Sequence, residues 1–113
     1  MVRWMIAAGM ALMAGPALAQ GGNCITGNLL RVDAAFARHG AGGTFDYSVQ
    51  VTNMTAREVT FRVNFRMTNT TTNPALFSTV FRLPPNGNRV IIVGNGREQS
   101  TPSRIGGGVV LTC

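Results

Sequence analysis

The sequence predicts an all-β domain, a small antiparallel β-sandwich of about seven strands, behind an export signal. Strict alternation of apolar and polar side chains runs through segments 45–51 and 59–67. Turn-forming residues separate such segments at intervals of about 8–12 residues, the spacing of a sandwich. Two cysteines near the ends of the exported chain, Cys24 and Cys113, supply one covalent staple.

The leader comes first. Met1-Val2-Arg3 gives a positive start, Trp4 to Ala14 an apolar stretch, and Gly15-Pro16 a break before Ala17-Leu18-Ala19. That is the three-part layout of a secretory signal, with small residues at 17 and 19 marking a cut before Gln20. The apolar run is shorter than the roughly 20 residues of a spanning helix, so no transmembrane segment is expected in the mature chain. Cys24 stands too far from the cut for a lipid anchor, and a lone Arg3 does not make a twin-arginine signal. The expected division is a signal peptide, 1–19, and a single domain, 20–113.

Ile25, Leu29, Leu30 and Val32 predict a first strand within Cys24 to Ala35, with Ala34 to Ala37 open to a helical turn. Arg38 to Gly43 reads as a flexible turn. From Thr44 to Asn53, Phe45, Tyr47, Val49 and Val51 share one face, because successive side chains of a strand point to opposite sides. Met54 to Arg57 turns the chain. Glu58 to Thr68 then repeats the pattern, with Val59, Phe61, Val63, Phe65 and Met67 inward and Thr60, Arg62, Asn64, Arg66 and Thr68 outward.

The run from Thr68 to Pro74 is a polar loop. Phe77, Thr79, Phe81 and Leu83 next alternate with Ser78, Val80 and Arg82. Pro84-Pro85-Asn86-Gly87 is a turn, since proline presets φ and Asn-Gly accepts positive φ. Val90 to Val93 is a continuous apolar run suited to a central strand. Gly94 to Gly108 reads as a long turn-rich segment, and Val109 to Cys113 as the closing strand.

Composition narrows the class. Charged residues are 12% of the 113, and hydrophobic residues 45%, a balance that excludes a disordered polyelectrolyte. The chain has ten arginines and no lysine. Without Arg3, nine arginines face Asp33, Asp46, Glu58 and Glu98, a balance of +5. The absence of lysine fits codon bias in a GC-rich genome, since arginine and lysine serve solubility equally; arginine has an advantage only where bidentate contacts to carboxylate or phosphate matter, so charge alone names no partner. A domain this small buries a modest core, so a bridge between Cys24 and Cys113 is expected in an oxidising compartment. Closing a loop of about 90 residues stabilises by up to about 4–5 kcal/mol in the chain-entropy description.

The residues Tyr47 to Asn53, then Val59 to Phe65, then Phe81-Arg-Leu-Pro-Pro-Asn-Gly87 and the apolar strand after it resemble the small immunoglobulin-like modules of bacterial envelope proteins, FxLyD-type domains among them. The likeness covers about half of the mature chain and lacks that family's tyrosine-aspartate element after Phe65. It implies an immunoglobulin-like sandwich and an envelope setting, and carries over no functional residue.

No residues assemble a catalytic or cofactor signature. His39 stands alone in a turn, and Met67 continues an inward stripe, so a copper site from His39, Met54 and Met67 is less economical than core packing. Without clustered His or Cys, zinc is not expected. The four acids are dispersed, no serine sits in a nucleophile elbow, and the Gly94 to Gly96 and Gly106 to Gly108 runs lack the helix and lysine of a phosphate loop. No cofactor and no enzyme activity are expected. The sequons at Asn53 and Asn69 read as ordinary turn residues in a bacterial protein.

Arg62, Arg66 and Arg82 form the candidate binding face. The first two lie about 13 Å apart on one strand face at strand rise. Such a row suits lipopolysaccharide phosphates, acidic polysaccharide or a partner's carboxylates, although arginines also keep a sheet face soluble and discourage edge pairing. Nucleic acid is not expected, because Phe61 and Phe65 alternate away from the arginines and cannot stack beside them. The expected protein is a periplasmic or secreted, non-catalytic interaction module for an envelope protein or an anionic envelope component. The alternative is a structural subunit that assembles by edge pairing of strands. Partner identity and oligomeric state stay open at this level.

Overall fold

The computed structural model describes residues 21–113. The expected leader, 1–19, lies outside the described residues. The chain forms helix α1 (Asn23–Thr26), strand β1 (Leu30–His39), a 3-10 turn (Ala41–Gly43), β2 (Phe45–Asn53), β3 (Val59–Phe65) and β4 (Thr70–Thr72). A second 3-10 turn (Pro74–Phe77), β5 (Phe81–Leu83), β6 (Asn88–Gly96), helix α2 (Pro102–Gly107) and β7 (Val109–Thr112) complete it. These strands pair antiparallel throughout, in a four-stranded sheet β1-β2-β6-β4 and a three-stranded sheet β5-β3-β7. The all-β sandwich expected from the alternation is the observed class. In immunoglobulin constant domains the fifth strand lies between the second and fourth; here β6 takes that place and β5 pairs in the other sheet.

Alternation builds the core. Val59, Phe61, Val63 and Phe65 of β3 are buried while Thr60, Arg62 and Asn64 are exposed. Opposite them Tyr47, Val49 and Val51 of β2 are buried, with Ile91 and Val93 of β6. Phe61 and Phe81, paired across β3 and β5, stack with centroids 5.6 Å apart. Burying each such side chain stabilises the fold by about 1.5–3 kcal/mol. Helix α2 packs against β1 and β2 and contributes the fully buried Ile105.

Two polar anchors join the layers. Asn53, the last residue of β2, is fully buried; its Nδ2 donates to the carbonyls of Arg57, Leu83 and Pro84 at 2.7, 3.0 and 3.0 Å. Its Oδ1 accepts from the Thr55 N–H at 2.9 Å and the Thr55 hydroxyl at 2.8 Å. The first sequon is therefore an interior tether rather than an ordinary turn. Near the other end of β2, the Tyr47 hydroxyl donates to the Glu98 carbonyl.

Cys24 and Cys113 form the expected disulfide, with Cα atoms 5.3 Å apart and a separation of 89 in sequence. The segment before α1 is held to the same place: Gly21 makes a parallel bridge with Val110. Gly22 has φ 110°, and a Cβ there would stand 1.9 Å from the Leu111 carbonyl oxygen, so only glycine suits the position.

Several elements differ from expectation for identifiable reasons. The stretch from Cys24 to Ala35 is not one strand: α1 and a turn precede β1, and Ala34 to Ala37 are strand because they pair with Gln50 to Tyr47. His39 ends β1 instead of lying in a turn, its ring 4.9 Å from that of Phe45. Thr70–Thr72, within the expected polar loop, pair with β6. Only Phe81–Leu83 of the expected 77–83 strand is extended, because Asn73 and Pro74 start a 3-10 turn first. The run Val90 to Val93 is central as expected, yet Val90 and Ile92 face solvent on the outer side of the sheet, Ile92 at 50% exposure. Gly94 to Gly108 is not simply turn-rich: β6 continues to Gly96, and Pro102–Gly107 is helical, capped by the Thr101 side chain, which accepts from the Arg104 N–H at 3.3 Å.

Candidate binding face on the three-stranded sheet

β3 is the middle strand of its sheet, so its outward residues have neighbours on both sides. Thr60 stands opposite Arg82 of β5, and Arg62 opposite Thr112 of β7. Arg62 and Arg82 are therefore diagonal neighbours on one face, roughly 7–8 Å apart at their Cβ atoms. Period two predicted the outward direction of Arg62; the register of β5 against β3 brings Arg82 to its side.

Arg66 lies further along the same row. β3 ends at Phe65, and the Arg66 N–H donates to the Gly108 carbonyl at 2.9 Å. Its side chain borders a separate hollow with Met67 and Thr70. Of the three arginines singled out in the sequence, Arg62 and Arg82 are diagonal neighbours, and Arg66, one residue past β3 but still paired with Gly108, lies about 13 Å along the same row from Arg62.

No ion pair forms on this face among the described residues, although Glu58, two residues before Thr60 in the same outward row, lies diagonal to Arg82 on the side away from Arg62. Among the described residues the one ion pair is Arg31 with Asp33, on β1 in the other sheet. Arg62 and Arg82 face no carboxylate within ion-pair distance. Their mutual repulsion across water at about 7–8 Å is only about 0.5 kcal/mol, small enough for the fold to tolerate and reversed by any anion seated between them.

Beside Arg62 lies a cleft of about 270 Å³, lined also by Asn64, Phe77 and Thr112. Phe77, which the sequence placed in a strand, is 67% exposed. The cause is the turn Pro74–Phe77. Asn73 caps it, its side chain accepting from the Ala75 N–H at 3.1 Å and donating to the Ile92 carbonyl at 2.8 Å. In a 3-10 turn consecutive side chains diverge by about a third of a revolution. Leu76 is buried, so Phe77 projects outward. The Asn73-Pro74 pair was the signal in the sequence, an N-cap followed by proline at the first helical position.

His39, at the end of β1, pairs with Phe45 at the start of β2, whereas Met54 follows the far end of β2, on the order of 25–30 Å away at strand rise, so His39, Met54 and Met67 do not share a site. Among the described residues no three His, Cys, Asp or Glu side chains converge as metal ligands, and no helix is long and apolar enough to cross a membrane.

The fold and this face define a small, disulfide-closed β-sandwich with two antiparallel sheets and an unpaired basic surface. The chain matches no protein-family model, no curated protein and no solved structure.

Proposed function

We propose that this protein is an exported, non-catalytic interaction module of the bacterial envelope, and that the outer face of the three-stranded sheet binds an anionic component there. The observation that carries this reading is the side-by-side position of Arg62 and Arg82 with no carboxylate partner. A guanidinium offers a planar fork of donors matched to phosphate and carboxylate. The export leader and the end-to-end disulfide support an oxidising, extracytoplasmic compartment. The small two-sheet sandwich is an architecture compatible with such a module.

Co-purification from envelope extracts tests the reading. The oxidised protein should retain an envelope component that is lost in the double variant Arg62→Glu, Arg82→Glu, while Arg38→Glu on β1 leaves it in place. Equal retention by all three proteins would remove the basic face as the binding surface.

A second reading, assembly by strand addition, rests on β1. It is a ten-residue edge strand that pairs only with β2. Against this, the register of β1 slips at Asp33, where Arg31 and the Thr52 hydroxyl hold the carboxylate, and such a bulge discourages pairing with another chain. Concentration-dependent assembly in size-exclusion runs would favour this reading over the first.

A further inference from the structure

We infer that the partner of this face is an anionic lipid surface, with Phe77 entering the interfacial region while Arg62 and Arg82 engage lipid phosphates. The inference rests on the binding face proposed above and names what it binds.

Three observations converge. Phe77 is two-thirds exposed although aromatic, and it is held out by a turn anchored through buried Leu76 and the side-chain bonds of Asn73. Arg62 lines the same cleft as Phe77. Val80, 45% exposed, precedes β5; continuing the register one pair beyond Phe61 and Phe81 sets it alongside Arg62. Apolar and cationic groups thus alternate over a short distance, on rigid elements.

An acidic peptide would satisfy the arginines and leave Phe77 in water. A bilayer interface uses both, since phosphates lie just above the acyl boundary where an aromatic ring is favoured. Arg62 and Arg82 bury their methylene stems while their guanidinium groups stay at the phosphate level. With two arginines and one principal wedge, attachment is reversible and salt-sensitive.

Co-sedimentation with vesicles tests the inference. Oxidised protein should partition onto vesicles of phosphatidylglycerol in phosphatidylcholine, and much less onto phosphatidylcholine alone. Neutralising both arginines, Arg62→Gln with Arg82→Gln, should weaken partition by about 30-fold, from about fivefold per basic residue. Phe77→Ser should weaken it by about tenfold through lost apolar burial. All forms share one N-terminus, so these differences report the sheet face. As a positive readout, Phe77→Trp should shift its emission to the blue on anionic vesicles and be quenched by brominated acyl chains. Inorganic phosphate at matched ionic strength should not release the protein, which separates a lipid surface from a free-phosphate site.

Parent protein that ignores anionic vesicles at low salt would overturn the inference, as would partition unchanged by Phe77→Ser. If vesicles are not bound but envelope co-purification still depends on Arg62 and Arg82, the lipid assignment fails and the binding face stands. If neither occurs, both fail.

Discussion

Asn23 grips the backbone of Cys113 in both directions, its Nδ2 donating to the terminal carbonyl at 3.1 Å and its Oδ1 accepting from the N–H at 2.6 Å. Cys113 is the disulfide partner of Cys24, the residue next to Asn23, so the first and last described segments are joined by sulfur and by an amide. Asn23→Ala is expected to lower unfolding stability by about 1–2 kcal/mol. Replacing both cysteines by serine is expected to cost more, up to about 4–5 kcal/mol, because the bridge restrains nearly the whole described chain. Urea titrations of the oxidised proteins measure both.

Asn53 gives a sharper prediction, since five bonds converge on one buried amide. Asn53→Ala should cost about 2–3 kcal/mol, because it leaves buried carbonyls without donors. Asn53→Asp should cost at least as much, since a carboxylate cannot donate to the Leu83 and Pro84 carbonyls. Denaturant midpoints compared at neutral pH would check the order.

The hydroxyl of Tyr47 reaches from the core to the segment between β6 and α2. Tyr47→Phe keeps the ring packing and removes only that bond, for an expected loss of about 1 kcal/mol. Amide hydrogen exchange should rise around Glu98 and Thr101 before it rises in β2. Equal protection in the two proteins would show that the bond does not hold this segment.

Ile91 and Ile92 are adjacent and chemically identical, yet one is buried and the other half-exposed. Ile91→Thr should destabilise by about 2–3 kcal/mol, from lost packing and a buried hydroxyl. Ile92→Thr should change stability by less than about 1 kcal/mol. Thermal unfolding of the pair measures the face of each side chain directly.

Phe77 separates stability from surface function. As an exposed residue of the Pro74–Phe77 turn, it should tolerate Phe77→Ser within about 0.5 kcal/mol, whereas Leu76→Ala in the same turn should cost about 2–4 kcal/mol. Unfolding curves of the two variants distinguish ornament from anchor.

The fold class, the faces of β2 and β3, the closing strand and the pairing of the two cysteines are legible in the order of residues. These are local or forced: period two admits one readout over seven or more residues, and two cysteines in one chain have a single intramolecular pairing. That order also held unread signals, Asn73-Pro74 and Thr101-Pro102, each an N-cap followed by proline. Tertiary structure decided the rest. Whether Val90 and Ile92 are covered depends on what lies over that sheet, and an apolar run has no period to reveal it. The neighbourhood of Arg62 and Arg82 depends on how strands distant in sequence come into register. The interior use of Asn53 likewise required the carbonyls of Leu83 and Pro84, thirty positions away, to arrive beside it.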